Sequence, residues 1–255
     1  MAGALAGRHA LVTGGGTGIG AAVAIALAQA GALVTICGRR LAPLQAIAAK
    51  ASNIRVASAD VTAEASIARL YERAETANEP IDMVVANAGM AESLPAHRTS
   101  LELWNRTLGV NLTGAFLSVK PALAAMRERG FGRIVFIAST AGLKGYAYVA
   151  PYVAAKHGVV GLTRALALET AASGITVNAV CPGFTESPML ARSVERIAEA
   201  TKRPASDVRA ALAAHNPQGR LIEPQEVADV VLWLCSGRSA SITGQAISVS
   251  GGETW

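Results

Sequence analysis

The stretch TGGGTGIG, Thr13 to Gly20, decides how the rest of the chain reads. It follows a short apolar run, HALVTG (9–14), and opens into GIGAAVAIALAQAG (18–31), whose small and apolar residues read as a helix closed by Gly31. A strand, a glycine-rich turn and a helix N-terminus in that order make a cradle for phosphate. The first-turn N–H groups lack intrahelical partners, and the positive end of the helix dipole favours an anion. The three glycines have separable tasks. Gly14 permits the tight turn, Gly18 lets the backbone approach a pyrophosphate, and Gly20 lets the helix pack closely on the strand.

The same alternation continues outward from this unit. Apolar strands are predicted at 33–37, 54–60, 81–89, 132–140, 175–183 and 246–252. Helical patterns lie between them at 43–50, 63–78, 100–128, 152–173 and 224–235. Strands that are apolar on both faces and alternate with helices imply right-handed βαβ units. The expected fold is α/β: a single doubly wound Rossmann-type domain over 1–255, with a seven-stranded, mostly parallel sheet and helices on both faces. One segment, 184–221, breaks the rhythm. It reads as two short helices, near 187–201 and 205–214, separated at Pro204. An insertion directly after a strand end lies where open α/β sheets bind ligands, so it is expected to be a substrate lid.

Hydrophobic residues make up 51% of the 255 residues and charged residues 16%, which suits a large core and argues against disorder. The net charge of +5 comes from scattered basic residues with few aromatics, poor material for nucleic-acid binding. Cys37, Cys181 and Cys235 are far apart and match no metal spacing, so reduced thiols and no metal are expected. No secretory leader or membrane span is read from the sequence, and a cytoplasmic location is the default expectation.

The glycine spacing is T-G-x-x-x-G-I-G, and further motifs accompany it. They are Asp60-Val61, ANAG with Asn87, Ala88 and Gly89, VNLTG with Asn111, Ser139 after the fifth strand, Tyr152 with Lys156, and PGFTES. Together these resemble the short-chain dehydrogenases/reductases along the whole chain. The resemblance implies that Gly14, Thr17, Gly18, Ile19, Gly20, Asp60, Val61, Asn87, Ala88 and Gly89 bind a dinucleotide. It also implies that Pro182, Gly183, Thr185 and Ser187 hold its nicotinamide carboxamide, with Tyr152 and Lys156 bonding the ribose end. Ser139, Tyr152 and Lys156 match the family's catalytic set, and Asn111 its water-holding helix asparagine. A homotetramer is implied as well, packed through the helices after strands four and five and near the last strand.

The second strand ends in CGRR. Gly38 stands where an acid would grip a ribose 2′-OH, and Arg39 and Arg40 follow. A missing carboxylate removes repulsion of a 2′-phosphate, and an arginine can bind one bidentately. NADP(H) is therefore favoured, with NAD(H) the alternative.

Three of the four tyrosines lie in GYAYVAPYVAAKHG (145–158). Reduction of a carbonyl creates an alkoxide that needs a proton as its charge develops. A phenol has an unperturbed pKa of ~10, and lowering it by about three units takes ~4 kcal/mol. A lysine one helical turn away supplies a favourable charge, and only Tyr152 has one, Lys156. Tyr146 and Tyr148 have no such partner and are read as packing or pocket-lining rings. Ser139 would orient the carbonyl. His97, His157 and His215 lack ligand spacing; His215 alone falls in the lid segment.

These readings give an oxidoreductase interconverting a ketone and a secondary alcohol. The resemblance favours the 3-oxoacyl-thioester reductase and 3-hydroxyacyl-CoA dehydrogenase branch, with CoA- or carrier-linked substrates and arginines 127, 129 and 133 as a candidate carrier patch. The alternatives are an NAD(H)-dependent 3-hydroxybutyrate-type or cyclic or steroid alcohol dehydrogenase, and a non-catalytic dinucleotide-binding sensor.

Overall fold

The structure is a computed structural model that describes residues 3–75 and 80–255. Its strands are β1 (His9–Thr13), β2 (Leu33–Gly38), β3 (Ile54–Ser58), β4 (Met83–Ala86), β5 (Gly132–Ile137), β6 (Ile175–Pro182) and β7 (Ala246–Val249). The helices are α1 (Gly18–Gln29), α2 (Leu41–Ala48), α3 (Glu64–Glu75), α4 (Leu101–Leu108), α5 (Gly114–Val119), α6 (Ala122–Arg129), α7 (Ala150–Thr170), α8 (Pro188–Thr201), α9 (Ala205–Ala213) and α10 (Pro224–Cys235). The last part of the helix expected over 63–78 lies outside the described residues.

The seven strands form one sheet in the order β3-β2-β1-β4-β5-β6-β7, and every pairing is parallel. The expected "mostly parallel" sheet is thus wholly parallel. Successive strand residues feed opposite faces, as a pleated strand requires. Val12, Val85 and Val135 pack under α1, α2 and α10, while Leu11, Val84, Ile134 and Phe136 pack under α3, α5, α6 and α7. Burial on both faces explains why these strands read as unbroken apolar runs.

The order in which strands are added reverses between β1 and β4. The connections that leave their C-terminal ends therefore run to opposite sides and open a crevice, the place where this architecture binds ligands. The order also sets the two ends of the sheet apart. Ser139 follows the C-terminal end of β5, whereas Arg129 and Arg133 sit near its beginning. Arg133 is buried, donates to the Gly132 and Gly174 carbonyls, and stacks with Arg8 on the Phe131 ring. Arg129 donates to the Ile81 carbonyl and pairs with Asp82, and Arg127 donates to the Glu169 carbonyl. The expected carrier patch is corrected: these arginines brace the opposite end of the sheet from the site.

The single helix expected over 100–128 is instead a broken array. Between α4 and α5 the chain forms a π-helical turn at Gly109–Thr113, and Pro121 separates α5 from α6. Proline withholds a backbone N–H and clashes with the preceding turn, which accounts for the second break. By length and composition alone, Leu101–Arg129 would suffice to cross a membrane. Here Val119, Ala122 and Met126 pack against the sheet. Beyond β6, α8 and α9 share a small separate cluster of Leu190, Val194, Val208 and Leu221. All three cysteines are free and buried, and burial pushes Cys37 and Cys235 up to about 12 and Cys181 up to about 11. They are inert thiols near neutral pH.

Candidate active site

The glycine loop departs from β1 under tight steric control. Gly14 (φ +66°) and Gly18 (φ +53°) occupy the left-handed region that favours glycine. At Gly20 a Cβ would stand 2.4 Å from both the Gly14 carbonyl oxygen and Asn87 Nδ2, so only glycine lets α1 approach this closely. Thr17, the N-cap of α1, makes no side-chain capping bond, and the first turn carries no acid. Those N–H groups therefore keep their affinity for an anion. The loop fits a dinucleotide pyrophosphate.

Asn87 holds this cradle in place. Its amide donates to the carbonyls of Thr13 (2.9 Å) and Gly14 (3.2 Å). The Thr13 hydroxyl accepts from the backbone N–H groups of Asn87 and Ala88, both at 3.0 Å. Thr13 is a residue the sequence reading passed over, because a threonine inside a strand usually signals only β-propensity. Farther along the sheet, Arg39 and Arg40 are exposed past β2, and Gly38 places no carboxylate beside them. Asp60 accepts from Thr62 N–H (2.9 Å) and Oγ1 (2.7 Å). These bonds, with Arg39 as a smaller contributor, hold its carboxyl below the usual range.

At the C-terminal end of β5, Ser139 caps a short 3₁₀ turn through Ala141 N–H (3.1 Å). Tyr152 lies in the first turn of α7, which begins at Ala150, two residues before the expected start. The Ser139 side chain lies beside the Tyr152 phenol, close enough to influence its ionisation. Lys156, one turn on, is buried and donates to the Ile137 carbonyl at 2.7 Å. Its Nζ stands 5.5 Å from the centre of the Tyr152 ring. Tyr152 itself is shifted upward, burial being the larger cause and the Ser139 side chain opposing it. The expected lowering by Lys156 is corrected: burial prevails at Tyr152, and burial also pushes Lys156 down to about 8.

Asn111 is buried in the π-helical turn. Its amide donates to the carbonyls of Thr107 (2.9 Å) and Met90 (2.8 Å), and its oxygen accepts from Met90 N–H (3.2 Å). The side chain thus takes over a carbonyl of the helix ladder, consistent with a helix bulge at a functional site. A Cβ at Gly89 would stand 2.9 Å from Asn111 Oδ1 and 4.0 Å from Lys156 Nζ, so glycine keeps the space between them open.

Past β6, Thr185 Oγ1 donates to the Gly183 carbonyl (3.0 Å), and Ser187 caps α8. A Cβ at Gly18 would meet that of Ser187 at 3.1 Å, so the glycine loop and the start of α8 face each other. His97 and His157 are exposed, and His157 Nδ1 contacts the Val153 carbonyl oxygen at 3.0 Å. His215, by contrast, joins Tyr146 and Phe184 in a ring cluster with centroid spacings of 5.3–5.9 Å. Tyr148 is exposed in the left-handed region (φ +68°), and its carbonyl accepts from Leu94 N–H. The sequence reading missed Glu253, whose side chain reaches into this cluster from the C-terminal tail.

A dinucleotide cradle facing a serine, tyrosine and lysine at the strand ends defines a nicotinamide-dependent oxidoreductase site. The short chain dehydrogenase family model matches residues 8–198, and the chain belongs to that family. It is an enzyme acting between keto and hydroxyl groups. It is 40% identical over 246 residues to an acetoacetyl-CoA reductase of Rhizobium meliloti, covering 96% of this chain and 98% of that one. It is 42% identical over 261 residues to cis-4-hydroxycyclohexanecarboxylate dehydrogenase of Sinomonas cyclohexanicum, covering 100% and 99%. A crystal structure of an actinorhodin polyketide ketoreductase variant with NADPH superposes with a TM-score of 0.94 at 39% identity, over 99% of each chain.

Burial of Lys156 makes the stability of the unliganded protein depend on pH. Its folded pKa of about 8 lies below the reference 10.5, so the unfolded state binds more protons between these values. Stability then rises with pH across that window, and the full penalty applies below about 8. In urea denaturation of the unliganded enzyme, Lys156→Met is expected to gain more stability over wild type at pH 7 than at pH 10.

Proposed function

We propose that the chain is an NADP(H)-dependent reductase of 3-oxoacyl thioesters, CoA- or carrier-linked, working through Ser139, Tyr152, Lys156 and Asn111. The observation that carries this reading is the buried Lys156, anchored on the Ile137 carbonyl one helical turn past Tyr152, with its Nζ 5.5 Å from the centre of that ring. The bound dinucleotide supplies a hydride. Ser139 orients the carbonyl oxygen, where negative charge develops. Tyr152 delivers the proton to that oxygen. The Lys156 ammonium favours the resulting phenolate, opposing the burial that otherwise raises the phenol. Asn111 holds a water in the space kept by Gly89, so that Lys156 can be reprotonated.

The phosphate cradle is Gly14, Thr17, Gly18, Ile19 and Gly20. Asp60 and Val61 meet the adenine, Ala88 and Gly89 line the ribose side, and Pro182, Gly183, Thr185 and Ser187 receive the nicotinamide end. Arg39 and Arg40 meet a 2′-phosphate, which no carboxylate at Gly38 repels. The segment 184–221 closes over the ketone as a lid. Homotetramer formation accounts for the exposed Leu101, Phe116, Leu168, Trp233 and Trp255, which lie on α4, α5, α7, α10 and the tail. Light scattering is expected to return four times the 26.0 kDa chain mass.

Tyr152→Phe is expected to lower turnover at least ~10³-fold, more than general acid catalysis alone accounts for at its low end. NADPH affinity, read by fluorescence quenching, is expected to stay within about fivefold, since one hydrogen bond of ~1 kcal/mol or less is lost. Unchanged turnover would overturn the assignment. The substrate class is tested by NADPH depletion with acetoacetyl-CoA beside cyclic ketones; turnover of cyclic ketones alone overturns it. Cofactor choice is tested by Gly38→Asp. A Cβ there would meet Leu44 methyls at 3.9 Å, an ordinary contact, so a side chain can leave the backbone at this position without a clash. The ratio of kcat/KM for NADPH over NADH is expected to fall at least ~10-fold, the cost of placing a carboxylate beside a 2′-phosphate. A wild-type preference for NADH would sink the arginine assignment.

A further inference from the structure

Glu253 is the fourth residue past the end of β7, and its side chain is only 1% exposed although its backbone lies at the surface. Its Oε1 gathers three groups from separate segments. The Tyr146 hydroxyl donates to it, Lys144 Nζ lies at 3.0 Å, and His215 Nδ1 lies at 3.7 Å. Tyr146 and Lys144 belong to the loop between Ser139 and α7, and His215 follows α9. Glu253 Oε2 is buried without a protein partner among the described residues. It lies where a side chain at position 183 would go, since a Cβ on Gly183 would stand 3.2 Å away.

The directions of these hydrogen bonds follow from their chemistry. A carboxylate accepts only, so the single proton of Tyr146 points at Glu253. Tyr146 OH also meets Thr140 Oγ1 at 2.7 Å, and with its own proton committed it must accept there. Thr140 is the donor of that pair and the immediate neighbour of Ser139. Tyr146 therefore has no proton to offer, although it is close enough to Tyr152 for charge on one ring to raise the other. Burial first, then the Glu253 bond, push its pKa above the usual phenol range.

We propose that Glu253 is a positioning residue for the ketone pocket: by taking the proton of Tyr146 it fixes that ring as a wall that cannot act as an acid, leaving Tyr152 the one phenol able to protonate the substrate. The inference rests on the reading of Tyr152 as the acid. It assigns Tyr146 to substrate fit, not to chemistry, and makes the C-terminal tail part of the site.

The test is a double-mutant cycle with the ketone turned over fastest in the screen above. Glu253→Ala and Tyr146→Phe should each raise KM about 10-fold, with kcat within about threefold. Because both act through one bond, the double variant should be no worse than the poorer single variant within about twofold. Glu253→Gln keeps an oxygen that accepts from Tyr146, and should stay within about threefold of wild type. Multiplicative losses in the double variant, a Gln variant as poor as Ala, or a loss confined to kcat would each overturn the proposal. A second readout needs no activity. Between about pH 9 and 11, tyrosinate absorbance should rise further in Glu253→Ala than in wild type. That gain should vanish in Glu253→Ala/Tyr146→Phe, and its absence from Glu253→Ala overturns the proposal. Retained turnover in Tyr152→Phe, by contrast, would remove the reading of the acid while leaving the titration result standing.

Discussion

The site depends on an ammonium group in the protein interior. Lys156 is 4% exposed, and its ammonium donates to a backbone carbonyl, that of Ile137. Such burial costs several kcal/mol unless the surroundings repay it. What makes the position possible is the close approach of α7 to its neighbours. A Cβ at Gly142 would stand 2.7 Å from the Lys156 carbonyl oxygen, and one at Gly158 would stand 2.8 Å from Leu112. Glycine at both places lets α7 wedge between the turn after Ser139 and the π-helical turn of Asn111. The serine, the asparagine and the lysine are thereby set around one space. The same packing that places Lys156 also strips it of water, which is why it sits poised near about 8.

Two phenols share this region and are treated differently by their neighbours. Both are raised by burial. Tyr152 has the Ser139 hydroxyl beside it, which works downward; Tyr146 has the Thr140 hydroxyl, which also works downward, and the Glu253 carboxylate, whose upward effect is the larger. Groups of one chemical type acquire separate tasks when their environments push them apart. A lysine at i+4 singled out Tyr152 in the sequence, and the structure adds a separate partner for Tyr146, the Glu253 carboxylate.

Much of the architecture was legible because a parallel sheet covered on both faces writes its strands as apolar runs and its turns as glycines. The bounds of α10 agree residue for residue, and those of α8 and α9 to within one residue. The errors have local causes. The fourth strand looked long because Asn87 to Gly89 continue a small, apolar-looking run, yet there the backbone leaves the ladder to meet Thr13. The helix over 100–128 looked continuous because periodicity does not register a π turn. The arginines near β5 looked like a patch because sequence proximity does not say which end of a strand they occupy. Glu253 left no signal at all. Its partners are over 30 residues away or farther along the chain, and a lone acid near a terminus reads as surface charge.

The residues of the site divide along the chain. The glycine loop, Asn87, Asn111, Ser139, Tyr152 and Lys156 all lie within residues 8–198, the span of the family model. His215 and Glu253 lie beyond it. The segment around α8 and α9 has its own small cluster, is closed on itself by the Arg209–Glu186 pair and reaches Glu92 through Arg196. Such partly exposed pairs contribute little stability, ~1 kcal/mol or less. Its contacts with Tyr146 and Glu253, through Phe184 and His215, lie away from the buried lysine's own anchor on Ile137. Relatives of about 40% identity are named for an acyl-CoA and for a cyclic hydroxy acid. Tyr146, Phe184, His215 and Glu253 meet where the segment past β6, the loop after β5 and the C-terminal tail come together. Under the proposal made above for Glu253, that junction is where this chain would set the fit of its ketone.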